Sequence, residues 1–175
     1  RRDSTFFGNG VVAHVAFDHP FCDCQSDILH RSARELGIRC HRGGILACME
    51  GPAFSTRAES EYHRRMGYSL IGMTAVSEAK LAREAEMCYS PAALVTDYDC
   101  WKEGEEVSSS KVVENLSVNV ANAQRLIAAA LSRLAARPRT CRCATALSGA
   151  IFTAPGSIAR KTARKLDLLV GRHLK

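Results

Sequence analysis

The stretch "GGILACMEGPAFSTRAESEYHRRMGYSLIGMT", Gly43 to Thr74, decides the fold, and "VTDYDCW", Val95 to Trp101, completes it. Two short apolar runs, Ile45 to Met49 and Ser69 to Met73, flank a polar segment, Arg57 to Met66, which stops at Gly67. The runs have the length of buried strands, and the segment between them has the length of a helix closed by a glycine that turns left-handed at little cost. Beyond each run stands a turn carrying reactive or recognition groups: Gly51-Pro52-Ala53-Phe54-Ser55 after the first, Met73-Thr74 after the second.

The same alternation continues outward. Val11 to Phe17 reads as a strand interrupted by His14, and Asp27 to Leu36 as a helix ending at Gly37. Ser77 to Glu86 is predicted helical and Ala92 to Thr96 extended. Ser110 to Ala136 is predicted as a long helix capped by the serines at its start. Strands alternating with helices at this interval predict an α/β fold, a mixed central sheet flanked by helices in three layers, Rossmann-like. In such sheets ligands gather at loops just past strand ends, where Gly51-Pro52, Thr74 and the pair Asp97/Asp99 fall. Pro138 and "RPRTCRC" mark a change of character, after which Ala144 to Phe152 and Ile158 to Val170 are predicted as short helices. The domain reading is therefore 1–136 as one α/β domain portion and 137–175 as a basic, helical extension.

With 46% hydrophobic and 24% charged residues, the 175-residue chain has the composition of a globular domain rather than of a disordered segment. Its apolar runs are too short to span a bilayer, and "RRDSTFFGNG" lacks the apolar core of a signal peptide, so a cytoplasmic protein is expected. The net charge of +6 is unevenly placed: residues 1–136 hold 15 Lys/Arg against 17 Asp/Glu, and residues 137–175 hold 9 against 1. The basicity belongs to the tail and argues no nucleic-acid role for the domain. The tail "SIARKTARKLDLLVGRHLK" reads either as an amphipathic helix facing RNA or an anionic membrane, or as a surface helix packing Ile158, Leu166, Leu169 and Val170 on the core. The second reading is preferred, with no nucleic acid and no membrane as partners.

Eight cysteines in a chain without export signals predict reduced, partly buried thiols. The pairs Cys22-Asp23-Cys24 and Cys141-Arg142-Cys143 leave one residue between thiolates where zinc sites commonly have two to four, so no metal is expected. A disulfide or redox pair at Cys141/Cys143 fits that spacing better.

Asp97 and Asp99 at i and i+2 would project to one side of an extended chain, about 6.5 to 7 Å apart. Two carboxylates facing one pocket disfavour double ionisation, which leaves one protonated as a general acid requires. Spacing alone fits two exposed loop aspartates as well.

The segments "CMEGPAFSTRAESEYHRRMG", "IGMTAVSEAKLAREAEMCY" and "VTDYDCW", with "HVAFDHPFC" before them, closely resemble the methylthioadenosine-cleaving branch of the trimeric purine nucleoside phosphorylase family. The likeness runs from about Ser4 to Leu131. It implies a nucleoside phosphorylase-like fold and a reaction in which phosphate attacks the anomeric carbon of 5'-methylthioadenosine, releasing adenine and 5-methylthioribose 1-phosphate through an oxocarbenium-like state. No cofactor is implied; inorganic phosphate is a co-substrate.

By the same resemblance, Asp97 would protonate purine N7 and Asp99 would accept from the 6-amino group, the two roles being open to sharing. Phe54 would lie against the purine and Ser55 would reach a polar atom of base or ribose. Met73 would cover the ribose, and Thr74 would give a hydroxyl to phosphate or ribose. His14 would look into a neighbouring subunit's 5' pocket, making a homotrimer part of the catalyst. Ser109, Val112 and Val113 would line the methylthio end. Ser109 stands where some relatives have an apolar residue, so a 5'-hydroxyl is a second expectation; methylthioinosine and other purine nucleosides are alternative substrates. Without the family, Phe54, Met73 and His14 would read as core or strand residues. Glu50, Arg57 and Glu59 read as scaffold, with Arg57 and Glu59 opening a helix and pairing to fix the Phe54 turn; contact of their charges with substrate is the alternative. Glu78, Arg83 and Glu84 read as a solvated, salt-bridged helix face.

The family's phosphate-binding elements, a Gly/Ser/Thr-rich loop, an Arg-His pair and a further Thr turn, have no counterpart here. The chain begins at Arg1 without Met, within a segment resembling the middle of a phosphorylase. The expectation is a C-terminal portion, incomplete at the N-terminus, which holds the base and ribose half of a site; an inactive purine-binding fragment is the alternative.

Overall fold

A computed structural model of the chain describes residues 2–102 and 109–174. Its elements run α1 (Asp23–Glu35), β1 (Leu46–Cys48), α2 (Arg57–Arg65), β2 (Leu70–Gly72), α3 (Ala75–Glu84), α4 (Ser109–Ala136), α5 (Arg160–Lys165) and α6 (Asp167–Val170). Short 3-10 turns lie at Arg142–Thr145, Pro155–Ser157 and Gly171–His173. The chain divides into two compact units: Arg1–Gln25, Ala75–Ser90 and Pro138–Lys175 form the first, Ser26–Thr74 and Pro91–Arg137 the second.

The second unit contains the strand-helix-strand stretch. β1 and β2 pair in parallel, with Leu46 opposite Leu70, Ala47 opposite Ile71 and Cys48 opposite Gly72. A parallel pair needs a crossover, and α2 supplies it. That helix starts in a reciprocal cap: Thr56 Oγ1 accepts the Glu59 N–H at 3.3 Å, and the Glu59 carboxylate accepts the Thr56 N–H at 2.7 Å. It ends where Gly67 takes φ 74°, a conformation open to glycine. Glu59 thus spends its carboxylate on Thr56, which caps the helix in place of the Arg57–Glu59 pair expected from the sequence.

α4 fills 28 residues, starting one residue before the predicted Ser110 and ending at the predicted Ala136. Of the serines expected to cap it, Ser108 and the side chain of Ser109 lie outside the described residues. Towards its C-terminal end Arg125 donates to the Leu36 carbonyl at 3.2 Å, and Arg133 pairs with Glu35, tying α4 to the last turn of α1. Ala92 to Thr96, predicted as a strand, joins no ladder among the described residues. Its carbonyls are taken by side chains instead: Asn119 donates to Val95 O at 2.8 Å and Asn115 to Thr96 O at 2.7 Å. Side-chain amides one helical turn apart satisfy the backbone acceptors that a neighbouring strand would otherwise fill.

The first unit is built round the tail. Val11, Leu147, Leu166 and Val170 form a buried cluster, with Phe7, Val15, Ile151, Ile158, Leu169 and Leu174 packed against it. Burying each such side chain contributes about 1.5–3 kcal/mol, so the basic segment is held by its apolar stripe. It is not one helix: the chain breaks at Leu166 into α5 and α6. Val11 to Phe17 is mostly extended without a ladder and meets a partner at Ala13, bridged antiparallel to Ile151. The His14 N–H donates to Ala150 O and the Phe152 N–H to Val12 O, each at 2.9 Å.

The polar residues of α3 are not a salt-bridged face. Glu84 is buried and accepts from Thr5 Oγ1 and the Phe6 N–H, both at 2.7 Å. Arg83 donates to the carbonyls of Ala16 and His19, and Glu78 accepts the Tyr89 hydroxyl at 2.6 Å. Helical spacing made these three look like mutual partners, whereas the N-terminal segment and the helix's own sequel supply the true ones.

Candidate functional site

The ends of β1 and β2 present their turns side by side. Hydrogen bonding continues one residue past β1, where the Met49 N–H reaches Gly72 O at the end of β2 at 2.9 Å. Gly51 then turns at φ 70°, and a Cβ there would meet Met73 Sδ at 2.7 Å. Only glycine lets the first turn pass this close to the methionine of the second. Pro52 follows through a cis bond, and Phe54 comes out at the turn with 80% of its surface exposed. Ser55 is half-buried with its hydroxyl 3.7 Å from Met49 Sδ, and Thr74 is exposed just before α3.

The Asp97/Asp99 segment is a turn, not an extended strand. Asp99 has φ 63°, and Asp97 accepts its N–H at 2.9 Å while also accepting the Thr96 hydroxyl at 2.7 Å. Asp99 in turn accepts the Cys100 N–H at 2.8 Å. Aspartate tolerates this left-handed position because its side chain bonds the local backbone. The same-side projection expected of an extended chain is replaced by two carboxylates on one tight turn. Asp97 is exposed and Asp99 half-buried.

Two links fasten this turn to its neighbours. Cys100 Sγ lies 3.7 Å from the Ser55 carbonyl, joining it to the Phe54 turn. Asn115 and Asn119 anchor the segment leading into it to α4. Val112 lies three residues before Asn115, on the stripe of α4 that carries both asparagines. Val113, one position round, is 63% exposed. Ser109 opens α4, and its side chain lies outside the described residues.

Aromatic side chains back the aspartate turn. Tyr98 and Trp101 meet edge to face at 6.1 Å, and the Arg64 guanidinium sits 4.5 Å over the Trp101 ring. Phe54, Ser55, Met73, Thr74, Asp97, Asp99, Val112 and Val113 all belong to the second unit; His14 belongs to the first, exposed, with its ring 5.3 Å from Phe152. An exposed aromatic face, hydroxyls and two carboxylates on linked turns suit a flat ligand with hydrogen-bonding edges.

The profile of the phosphorylase superfamily matches residues 1–132. The chain belongs to the phosphorylase superfamily. Within that superfamily it is 51% identical over 174 residues to S-methyl-5'-thioadenosine phosphorylase of Geobacter sulfurreducens, covering 99% of this chain and 60% of that protein. The crystal structure of a methylthioadenosine phosphorylase from an antarctic soil metagenomic library superposes with a TM-score of 0.90 at 43% identity, covering 96% of this chain and 60% of that one. Methylthioadenosine phosphorylase from Schistosoma mansoni in complex with adenine gives a TM-score of 0.79 at 31% identity, over 86% of this chain and 62% of that one. The phosphorylase-superfamily chain therefore has the nucleoside phosphorylase fold and spans about three fifths of the length of the relatives it matches.

Sequence reasoning passed over three groups that hold these turns together. Thr56 was legible, since Thr-x-x-Glu before a helix is the capping-box pattern. Asn115 and Asn119 stand one turn apart in α4, a visible pairing whose partners no sequence spacing names. Cys100 gave no signal beyond its position after Asp99.

Proposed function

We propose that this chain carries the base and ribose half of an enzyme that cleaves 5'-methylthioadenosine with phosphate, yielding adenine and 5-methylthioribose 1-phosphate. The observation that carries the reading is the turn holding Asp97 and Asp99, fastened through Cys100 to the Phe54-Ser55 turn. As the glycosidic bond breaks, the departing purine gains negative charge. Asp97, the more exposed carboxyl, gives a proton to N7, and Asp99 accepts from the 6-amino group. An amide at either position would lose the charge or the proton, so the pair favours a 6-aminopurine.

Phe54 supplies the stacking face and Ser55 a polar contact, while Met73 covers the ribose beside Gly51. Thr74 donates a hydroxyl to ribose or phosphate. Val112, Val113 and Ser109 line the 5' end, and His14 serves a neighbouring subunit of a homotrimer. Apolar side chains that α4 leaves exposed, among them Leu116, Ile127 and Leu131, support an assembly in which further protein covers them. Phosphate enters as co-substrate, no cofactor takes part, and the reaction fits cytoplasmic purine and methionine salvage.

The test is phosphate-dependent release of adenine from 5'-methylthioadenosine, measured for this chain and for the protein of its full reading frame. Adenine release that requires phosphate in the longer protein supports the reading. Failure of the longer protein to release adenine under those conditions overturns it.

A further inference from the structure

Three separate stretches of the first unit deliver four thiols to one place. Cys22 stands immediately before α1, Cys88 lies beyond the end of α3, and Cys141 and Cys143 flank Arg142 at the 3-10 turn. The four Sγ atoms all lie within 4.8 Å of one another, with Cys88 and Cys141 at 3.2 Å. Cys22 and Cys143 are buried and the other two half-buried.

We propose that Cys22, Cys88, Cys141 and Cys143 form a structural metal site that holds one zinc ion through four thiolates. A tetrahedral zinc with bonds of about 2.3 Å places its sulfurs about 3.8 Å apart, and the observed cluster already has that size. All eight cysteines are free thiols, whereas two disulfides would need sulfurs paired at about 2.0 Å. The one-residue spacing of Cys141 and Cys143 argued against a metal only while each pair was read locally. Folding brings the other two ligands from positions far away in sequence.

A cationic side chain lies beside the cluster. The Arg139 guanidinium, charged beside Cys88 and Cys141, donates to the Glu86 carbonyl. Four thiolates and Zn²⁺ leave a net charge of −2, which the adjacent guanidinium offsets in part. A complete set of protein ligands marks the site as structural rather than catalytic. It would clip the entry of α1, the sequel of α3 and the start of the tail together within the first unit. Cys24, Cys40, Cys48 and Cys100 are outside the cluster and serve as internal controls.

The experiment uses the full chain, purified under reductant, stripped with chelator and titrated with Co²⁺ and then Zn²⁺. One cobalt per chain with the intense visible bands of a tetrahedral thiolate complex, displaced by one zinc, is the expected result. Zinc should raise the Tm of the stripped chain. Cys141→Ser should weaken cobalt binding by at least about tenfold, while Cys40→Ser leaves it unchanged. The wild-type titration decides the matter even if Cys141→Ser fails to fold. Absence of the tetrahedral spectrum, equal loss in Cys40→Ser, or peptide mapping that finds these four cysteines joined as disulfides in metal-free protein would overturn the proposal.

Discussion

Asp97 and Asp99 occupy a turn whose shape comes from their own carboxylates, so the chemistry proposed for them would reside in the atoms that set the local structure. Asp97→Asn keeps the size and the acceptor oxygen but removes the transferable proton. In the full-length protein it should lower turnover of 5'-methylthioadenosine by about 10²- to 10⁴-fold, and an unchanged kcat would exclude Asp97 as the acid. Gly51 is under two constraints, positive φ and the nearby Met73 sulfur. Gly51→Ala should cost about 1–3 kcal/mol and displace Met73, read as a lower midpoint in urea. At Glu86, burial pushes the carboxyl up, but hydrogen bonds from Arg172, His173 and the Leu147 N–H outweigh it and hold the group below its ordinary 4.5. A lowered folded pKa contributes stability that is present above 4.5 and lost as pH falls through the folded value. Tm should therefore fall on acidification below about pH 4.5, with a shallower slope in Glu86→Gln.

Among the elements, α2 depends most plainly on a cap. Thr56→Ala removes the acceptor for the Glu59 N–H and should destabilise by about 1 kcal/mol, measurable by chemical denaturation, with Thr56→Ser restoring most of it. The Glu59 carboxyl is held below its ordinary range by the Thr56 backbone and hydroxyl bonds, so this cap also weakens in acid. Much of this level was legible. The apolar runs and glycine stops of Ile45 to Gly67 announce β1, α2 and their order, because period and turn chemistry are local. Ala92 to Thr96 was misread since an apolar run fixes extension but not its hydrogen-bond partner. That partner proved to be the amides of Asn115 and Asn119.

At the scale of the whole molecule, the tail belongs to a core and not to a detachable surface. Leu147 and Val170 are each 1% exposed. Leu147→Ala should cost about 2–5 kcal/mol and lower the Tm of the first unit, while a charge-removing substitution at exposed Lys161 should leave it unchanged. The buried Glu86 draws Arg172 and His173 from the tail, which explains part of the basic residues there as fixed partners.

The sequence by itself determined the α/β class, the order of β1, α2, β2 and α4, the family resemblance and the loops on which Asp97, Phe54 and Met73 stand. Those depend on periodicity, glycine stops and contiguous motifs, all readable within a few residues. Only the tertiary structure decided that Asp97 and Asp99 share a left-handed turn, that Glu84 is buried against Thr5, and that Cys22 and Cys88 join Cys141 and Cys143. Each of these joins groups whose attraction acts over a few ångströms in space, a separation that chain spacing does not encode.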